Sequence, residues 1–248
     1  MKIHRLASVP STNRYCEALD LAEVEDFTCY WALQQTAGIG QRGNHWEAEP
    51  GKNLTFSLVL HPTFLPADRQ FKLTEALSLA LCDCLKGLRD LKVKWPNDIY
   101  VGKRKICGTL VSTRLQGAQI ASAICGIGLN VNQTVFPDWV PNPTSMALLT
   151  GEEYDLEPLL KKILACIEKR YNDLKNGIDP QPEYLTRLFN LGISARYKYM
   201  ERLLPAGIDN EEELTATLTG IDPHGRLLLT TADGRHLSCG MKEITFLV

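Results

Sequence analysis

From Leu91 to Val131 the chain passes through three alternating apolar segments, Leu91 to Trp95, Ile106 to Arg114 and Ile120 to Val131, with Gly102 and Gly117 at the turns between neighbours. Parallel neighbours need a crossover of about a dozen residues or more, and a turn as short as the one at Gly117 leaves no room for it. The spacing therefore predicts antiparallel pairing, and everything upstream and downstream has to pack on that sheet.

Upstream, Lys2 to Val9 and Phe27 to Leu33 read as strands, and between them Ser11, Thr12 and Asn13 supply N-cap residues for a helix carrying Tyr15, Ala18, Leu19 and Ala22. Leu54, Phe56, Leu58 and Leu60 alternate as a further strand. Pro66 opens what reads as the longest helix, with Phe71, Leu73, Leu77, Ala80, Leu81, Cys84 and Leu85 at helical spacing until Gly87. Downstream, Tyr154 to Leu174 and Pro182 to about Phe189 are helical. The texture then changes to short runs, Tyr197 to Leu203, Leu214 to Leu218, Leu227 to Thr231 and Ile244 to Val248, broken by Asp222-Pro223, Asp233-Gly234 and Gly240. The expected organisation is an α+β domain over residues 1–190, its mixed, largely antiparallel sheet flanked by helices, followed by a small β-barrel domain over 191–248.

Composition narrows the function classes. A hydrophobic share of 44% with 23% charged residues is that of an ordinary soluble globular protein, and the net charge of -2 gives the chain no bias toward DNA phosphates or acidic lipid. No apolar run approaches the roughly 18 residues of a membrane span, and no signal sequence follows Met1, so the expected location is cytoplasmic with no membrane partner. The eight cysteines contain no CxxC and no zinc ladder, with Cys82 and Cys84 as the one close pair, so they read as small buried hydrophobes. His4, His45, His61, His224 and His236 are scattered without GxSxG or HExxH around them, which leaves triad and zinc hydrolysis without anchors.

Four segments are more polar or glycine-rich than packing requires. Gln34 to Trp46 (QQTAGIGQRGNHW) spaces glycines so that backbone N–H groups can line an anion, or simply forms a flexible surface loop. Lys94-Trp95-Pro96-Asn97-Asp98 sets a cation, an amide and a carboxylate around a turn stiffened by proline, which suits a nucleotide with its magnesium ion and equally suits an Asx-type turn. Lys103-Arg104-Lys105 is either a solvated hairpin or the source of one inward lysine that stabilises charge on a phosphate. Gly126-Ile127-Gly128-Leu129-Asn130-Val131-Asn132 alternates glycine along a strand, as a close backbone approach to a ligand or a bulge would require.

Taken in this order, the STN triplet, QTAG…RGNHW, KWPND with RKICG following, and GIGLNVN resemble the biotin protein ligase family over Ser11 to about Asn132, with weaker likeness to the C-terminus. The resemblance implies a fold like that of the class II aminoacyl-tRNA synthetases and the biotin and lipoate ligases, with an SH3-like C-terminal barrel. It implies an ATP-dependent activity: biotin and ATP with Mg²⁺ give biotinyl-5′-AMP, and biotin then passes to a lysine of a biotin carboxyl carrier protein or domain. By the same resemblance Ser11, Thr12, Asn13, Gln35, Ile39, Gly40, Gln41, Lys105, Gly126 and Gly128 contact biotin. Gly38, Arg42, Trp46, Lys94, Asn97 and Asn130 contact ATP or the adenylate, Lys105, Lys94 and Arg42 are catalytic, and Asp98 lies near the metal. The glycine loop is expected to order over ligand. Where the family loop reads GRGR or GRGQ, Ile39 stands in place of an arginine and Gln41 takes the second place; either Arg42 supplies a cation from the adjacent position, or the altered loop holds the adenylate more loosely or lowers activity. A start of the catalytic part within ten residues of Met1 leads to the expectation of no DNA binding, and exposed strand edges make a homodimer conceivable. The rival readings are a lipoate or octanoate ligase and a noncatalytic biotin-binding homologue.

Overall fold

The computed structural model describes residues 1–199, 213–241 and 243–247, apart from the side chains of Arg42 and Tyr199. The larger sheet begins with β1 (Lys2–Leu6), after which Ser11 caps α1 (Thr12–Glu17) and β2 (Thr28–Ala32) returns parallel to β1. β3 (Leu54–Leu60) pairs antiparallel with β2, and α2 (Phe71–Cys84) leads to β4 (Leu91–Lys94), β5 (Asp98–Val101), β6 (Arg104–Gln116) and β7 (Gln119–Leu129). The seven strands lie in the order β1-β2-β3-β7-β6-β5-β4, every pair but the first antiparallel, as the short turns at Gly102 and Gly117 require. Three helices follow, α3 (Met146–Thr150), α4 (Leu156–Lys175) and α5 (Gln181–Arg187).

Some elements differ from the sequence reading. Asp98–Val101 is a strand rather than part of a connecting turn, and α3 has no counterpart among the expected helices. The helix after Pro66 starts only at Phe71, beyond a 3-10 turn, and at 14 residues it is shorter than the 20-residue α4.

Strand alternation divides the sheet into two unlike faces. Leu54, Phe56, Leu58 and Leu60 of β3 join Leu77 and Leu81 of α2 and Leu160, Ile163 and Leu164 of α4 in the main core, where each fully buried side chain contributes about 2 kcal/mol. On the opposite face Tyr30, Val59 and Ile124 pack against Cys16 and Leu21 beside α1. In register with Val59 and Ile124 on that face come small residues, Thr55 and Ser57 on β3, Gly126 and Gly128 on β7, Gly108 on β6. They form a floor that α1 covers only in part.

The C-terminal part holds β8 (Ser194–Tyr199), β9 (Glu213–Ile221), β10 (Leu227–Thr231), β11 (His236–Cys239) and β12 (Ile244–Phe246), antiparallel in the order β11-β10-β9-β8-β12. This five-stranded sheet is consistent with an SH3-like domain. Among the described residues no pairing joins β11 to β12, so the strands described there do not close into a barrel. Parts of the expected strands beyond Tyr199 and at Val248 lie outside the described residues. The sheet is fastened to the larger part through Trp95, whose Nε1 donates to the Gly225 carbonyl at 2.9 Å. Gly225 has φ +82 and lies against the Phe71 ring, where any side chain would overlap it. Among the described residues no helix is long and apolar enough to cross a membrane.

Candidate active site

The first four N–H groups of a helix have no partner within it, and α1 solves this by recruiting the neighbouring strand. Ser11 Oγ accepts from Arg14 N, while the Thr12 N–H donates 2.7 Å to Gln35 Oε1. Gln35 is brought there because the parallel pairing of β1 and β2 continues past both strands as the Val9–Gln35 bridge and the Thr36 and Ala37 N–H bonds to Val9 and Pro10. Ser11, Thr12 and Asn13 are all buried, and with Gln35 they line one end of a cavity of about 370 Å³. Asn13 fills the space above Gly126 that a side chain there would need, and the Trp46 indole does the same above Gly128. The two glycines thus admit side chains of this chain to the backbone, an approach the sequence reading gave to ligand.

Gly38 to Trp46 forms a closed hairpin. Trp46 N donates to Gly38 O at 2.9 Å, Gly40 N to Asn44 O at 2.7 Å, and a 3-10 turn at Gln41–Gly43 caps it with Gly43 at φ +79. The Gly40 N–H is therefore committed to the hairpin. Ile39, Gly40 and Gln41 line the cavity, and the Arg42 side chain lies outside the described residues.

The opposite wall comes from the β4–β5 hairpin and β6. The Trp95–Pro96 peptide is cis. Between β5 and β6 the register shifts, Ile99 facing Cys107 and Tyr100 facing Lys105, so one extra residue bulges from β6. Bulges re-aim side chains. Lys103 and Arg104 stay exposed while Lys105 turns inward, its Nζ 2.8 Å from Asp98 Oδ1 and 5.5 Å from the Trp46 ring. The Lys105 backbone is clipped on its other side by the chain leading to α3, taking a bond from Thr144 N at 2.9 Å and giving one to Asn142 O at 2.8 Å. Lys94 lies deeper, its Nζ 5.0 Å from the Tyr100 ring, 5.6 Å from the Phe246 ring and 3.3 Å from Tyr100 Oη. Burial lowers the pKa of its ammonium, an effect opposed by Asp98 and reinforced by Lys105. With Ile39 in place of an arginine, Lys94 and Lys105 are the lysines on this cavity among the described residues.

A second cavity, of about 490 Å³, adjoins the first and shares Trp46, His45, Asn44, Pro141 and Lys105 with it. Its remaining lining includes Asn130 and an apolar arc of Phe136, Trp139, Val140 and Pro143. The buried Asn130 Oδ1 and Trp46 Nε1 have no hydrogen-bond partner among the described residues, while Asn130 Nδ2 holds the Thr144 carbonyl at 3.0 Å. Asn97, like Asn130 expected to contact ATP or the adenylate, lines the first cavity, and its amide is bonded to the Thr109 carbonyl of β6. Asp98 is paired with Lys105 and belongs to no cluster of three or more His, Cys, Asp or Glu residues among the described ones. Sequence reasoning missed the arc at 136–143, for which the proline-rich run Phe136-Pro137-Asp138-Trp139-Val140-Pro141-Asn142-Pro143 was the available signal. It also missed Ser57, Tyr100 and Phe246.

A mixed sheet whose glycine-bearing face carries two joined cavities with an inward lysine between them defines a class. The chain belongs to the biotin/lipoate A/B protein ligase family, whose model matches residues 6–130. Among its relatives, the bifunctional ligase/repressor BirA of Bacillus subtilis is 31% identical over 230 residues, 90% of this chain and 68% of that protein. The biotin–[acetyl-CoA-carboxylase] ligase of Paracoccus denitrificans is 31% identical over 247 residues, 94% of this chain and 95% of that one. In structure the chain is similar to the biotin protein ligase of Aquifex aeolicus solved in complex with biotin and ATP, with a TM-score of 0.78, 25% identity and coverage of 98% and 97% of the two chains.

Proposed function

We propose that this chain is an ATP-dependent biotin protein ligase, which joins biotin to AMP and then passes the biotinyl group to a lysine of a biotin carboxyl carrier protein or domain. The observation that carries the reading is that Lys105 lines both cavities. In this arrangement the ring end of biotin sits at Ser11, Thr12, Asn13 and Gln35, beneath Ile39, Gly40 and Gln41, with Asn13 and Trp46 packed between it and the floor glycines Gly126 and Gly128. The adenine lies in the apolar arc beside Trp46, with the unpartnered Asn130 Oδ1 available to accept from its amino group. The carboxylate of one ligand then meets the α-phosphate of the other at Lys105.

In the first step a biotin carboxylate oxygen attacks the α-phosphorus, the new O–P bond forms and pyrophosphate leaves with the electrons of the broken P–O bond. The protein supplies placement and charge stabilisation rather than a nucleophile. Lys105 donates hydrogen bonds to the carboxylate and phosphate oxygens, and Asp98 holds its ammonium in place. Lys94 adds a second fixed cation, and Gly38 and Arg42 belong to the hairpin that covers the acyl phosphate. Asp98, the carboxylate beside Lys105, is the residue that would help hold Mg²⁺, and the ion would offset phosphate charge. In the second step the neutral amine of the carrier lysine attacks the biotinyl carbonyl, an amide forms and AMP departs.

We further place the division between a ligase domain and the C-terminal sheet at residues 190 and 191, a homodimer contact at the open edge of β1, and the site of action in the cytoplasm, where ATP is abundant. The test is incubation with ATP, biotin and a carrier domain followed by intact-mass measurement. A gain on the carrier equal to biotin less water is expected. A lipoyl-sized gain when lipoate is offered instead would assign the chain to the other branch of its family, and no gain with either acid would leave a binding protein.

A further inference from the structure

The floor of the first cavity holds a hydroxyl that no motif singles out. Ser57 is fully buried on β3, directly opposite Gly126 in the strand register. Its Oγ lies 2.6 Å from Asn13 Oδ1 and 2.7 Å from Thr12 Oγ1. A hydroxyl has one proton and an amide oxygen can only accept, so the Ser57 proton points to Asn13 Oδ1 and its oxygen takes the Thr12 proton. Thr12 Oγ1 also lies 3.1 Å from Gln35 Oε1, but the shorter 2.7 Å contact to Ser57 needs a proton that Ser57, donating to Asn13, cannot supply. The chain of protons thus runs from Thr12 through Ser57 to Asn13. Asn13 Nδ2, for its part, donates to the Leu110 carbonyl at 3.3 Å. Both carboxamides have their oxygens tied to protein donors, and Gln35 Nε2 lies on the side of the glycine hairpin, 3.1 Å from where a Gly38 side chain would begin. What the two amides have left to offer a ligand is N–H.

We propose that Ser57 is a positioning residue that sets the polarity of this subsite, so that it selects a ligand group that accepts hydrogen bonds, such as the carbonyl of a cyclic urea, over one that donates them. The proposal rests on the biotin ligase reading above. Without the Ser57 hydroxyl, Asn13 Oδ1 loses its donor, and the 3.3 Å bond from Nδ2 to the Leu110 carbonyl is left to hold the amide's orientation against a turned-over form that presents oxygen to ligand. The subsite then distinguishes the two kinds of group less sharply.

The test is steady-state pyrophosphate release with biotin and with 2-iminobiotin, whose ureido oxygen is replaced by an N–H group, in the wild type, Ser57→Ala and Ser57→Cys. The KM for biotin is expected to rise about 30-fold in both variants, with kcat and the KM for ATP little changed, because a buried amide loses its partner only where the ring end binds. The preference for biotin over 2-iminobiotin in kcat/KM is expected to fall by about tenfold or more. Ser57→Cys retains a side chain of similar shape with a much weaker donor, so agreement between the two variants assigns the effect to the hydrogen bond rather than to packing. An unchanged preference in both, whatever happens to the absolute rates, would overturn the proposal. Failure of the wild type to release pyrophosphate with biotin would instead overturn the parent reading, and this one with it.

Discussion

Lys105→Ala is expected to slow adenylate formation by about 10³-fold, roughly 4 kcal/mol of transition-state stabilisation, while the protein keeps its fold. The size follows from where the ammonium sits. It is half-buried, aimed by a bulge in β6, paired with Asp98 at 2.8 Å, and carried on a backbone that Asn142 and Thr144 clip from the other side. A cation so fixed needs little reorganisation when charge develops on the phosphate. The loss should not reach the structure, because Lys105 holds no core contact and its backbone bonds survive the substitution. Pyrophosphate release at saturating ATP and biotin checks the rate and the thermal midpoint checks the fold. An unimpaired rate would remove Lys105 from the mechanism, and Lys94 would become the leading cation of the site.

The second large effect is expected of Gly126→Ala. Gly126 has ordinary extended backbone, so the substitution is harmless in itself and acts through what the new methyl meets. It overlaps the Asn13 amide, which has nowhere to go: its oxygen is held by Ser57, its nitrogen by Leu110, and the whole side chain is buried. Either Asn13 leaves its place or β7 shifts away from β3, at a cost of about 1–3 kcal/mol in stability. Biotin affinity is expected to fall about 100-fold or more, read by titration calorimetry. Gly117→Ala is the matched control, at a β6–β7 turn with φ +61 and nothing near its missing side chain. It should cost comparable stability through the backbone while biotin binding is retained. Equal affinity losses in the two would show that the Gly126 effect is general destabilisation rather than a subsite clash.

How far the sequence foretells this molecule depends on whether a feature is local. The antiparallel meander through β6 and β7 is legible because Gly117 leaves no length for another connection. The polar triplet at Ser11 to Asn13 is legible because helix starts need caps. The strand at β5 was hidden inside Asn97-Asp98-Ile99-Tyr100-Val101, where proline and Asx residues read as a turn. Ser57 was hidden for a more general reason. In Leu54 to Leu60 alternation identifies one apolar face and invites the inference that the other meets water, yet every residue of β3 is buried. The second face is the floor of the cavity, covered by α1 and the glycine hairpin, which come from distant parts of the chain. A small hydroxyl on that strand, paired with a glycine across the ladder, was the signal.

The separation of Asn97 from Asn130 was equally out of reach of motif spacing, since it depends on which strand each side chain braces. Asn97 bonds the Thr109 carbonyl and stays with the first cavity, whereas Asn130 begins the chain that leads to the aromatic arc of the second. The Ile39 departure also gains a physical setting. An apolar side chain lines the wall where the family pattern has an arginine, beside Lys94 and Lys105, and under the proposed function these two lysines are expected to help retain the acyl phosphate.

The most direct measurement is a crystal structure of the chain with biotinyl-5′-AMP bound. One ligand should span both cavities, its ring end among Ser11, Gln35 and Asn13, its base beside Trp139 and Asn130, and its phosphate within hydrogen-bonding reach of Lys105 Nζ. A ligand confined to one cavity, or a phosphate bound away from Lys105, would contradict the account.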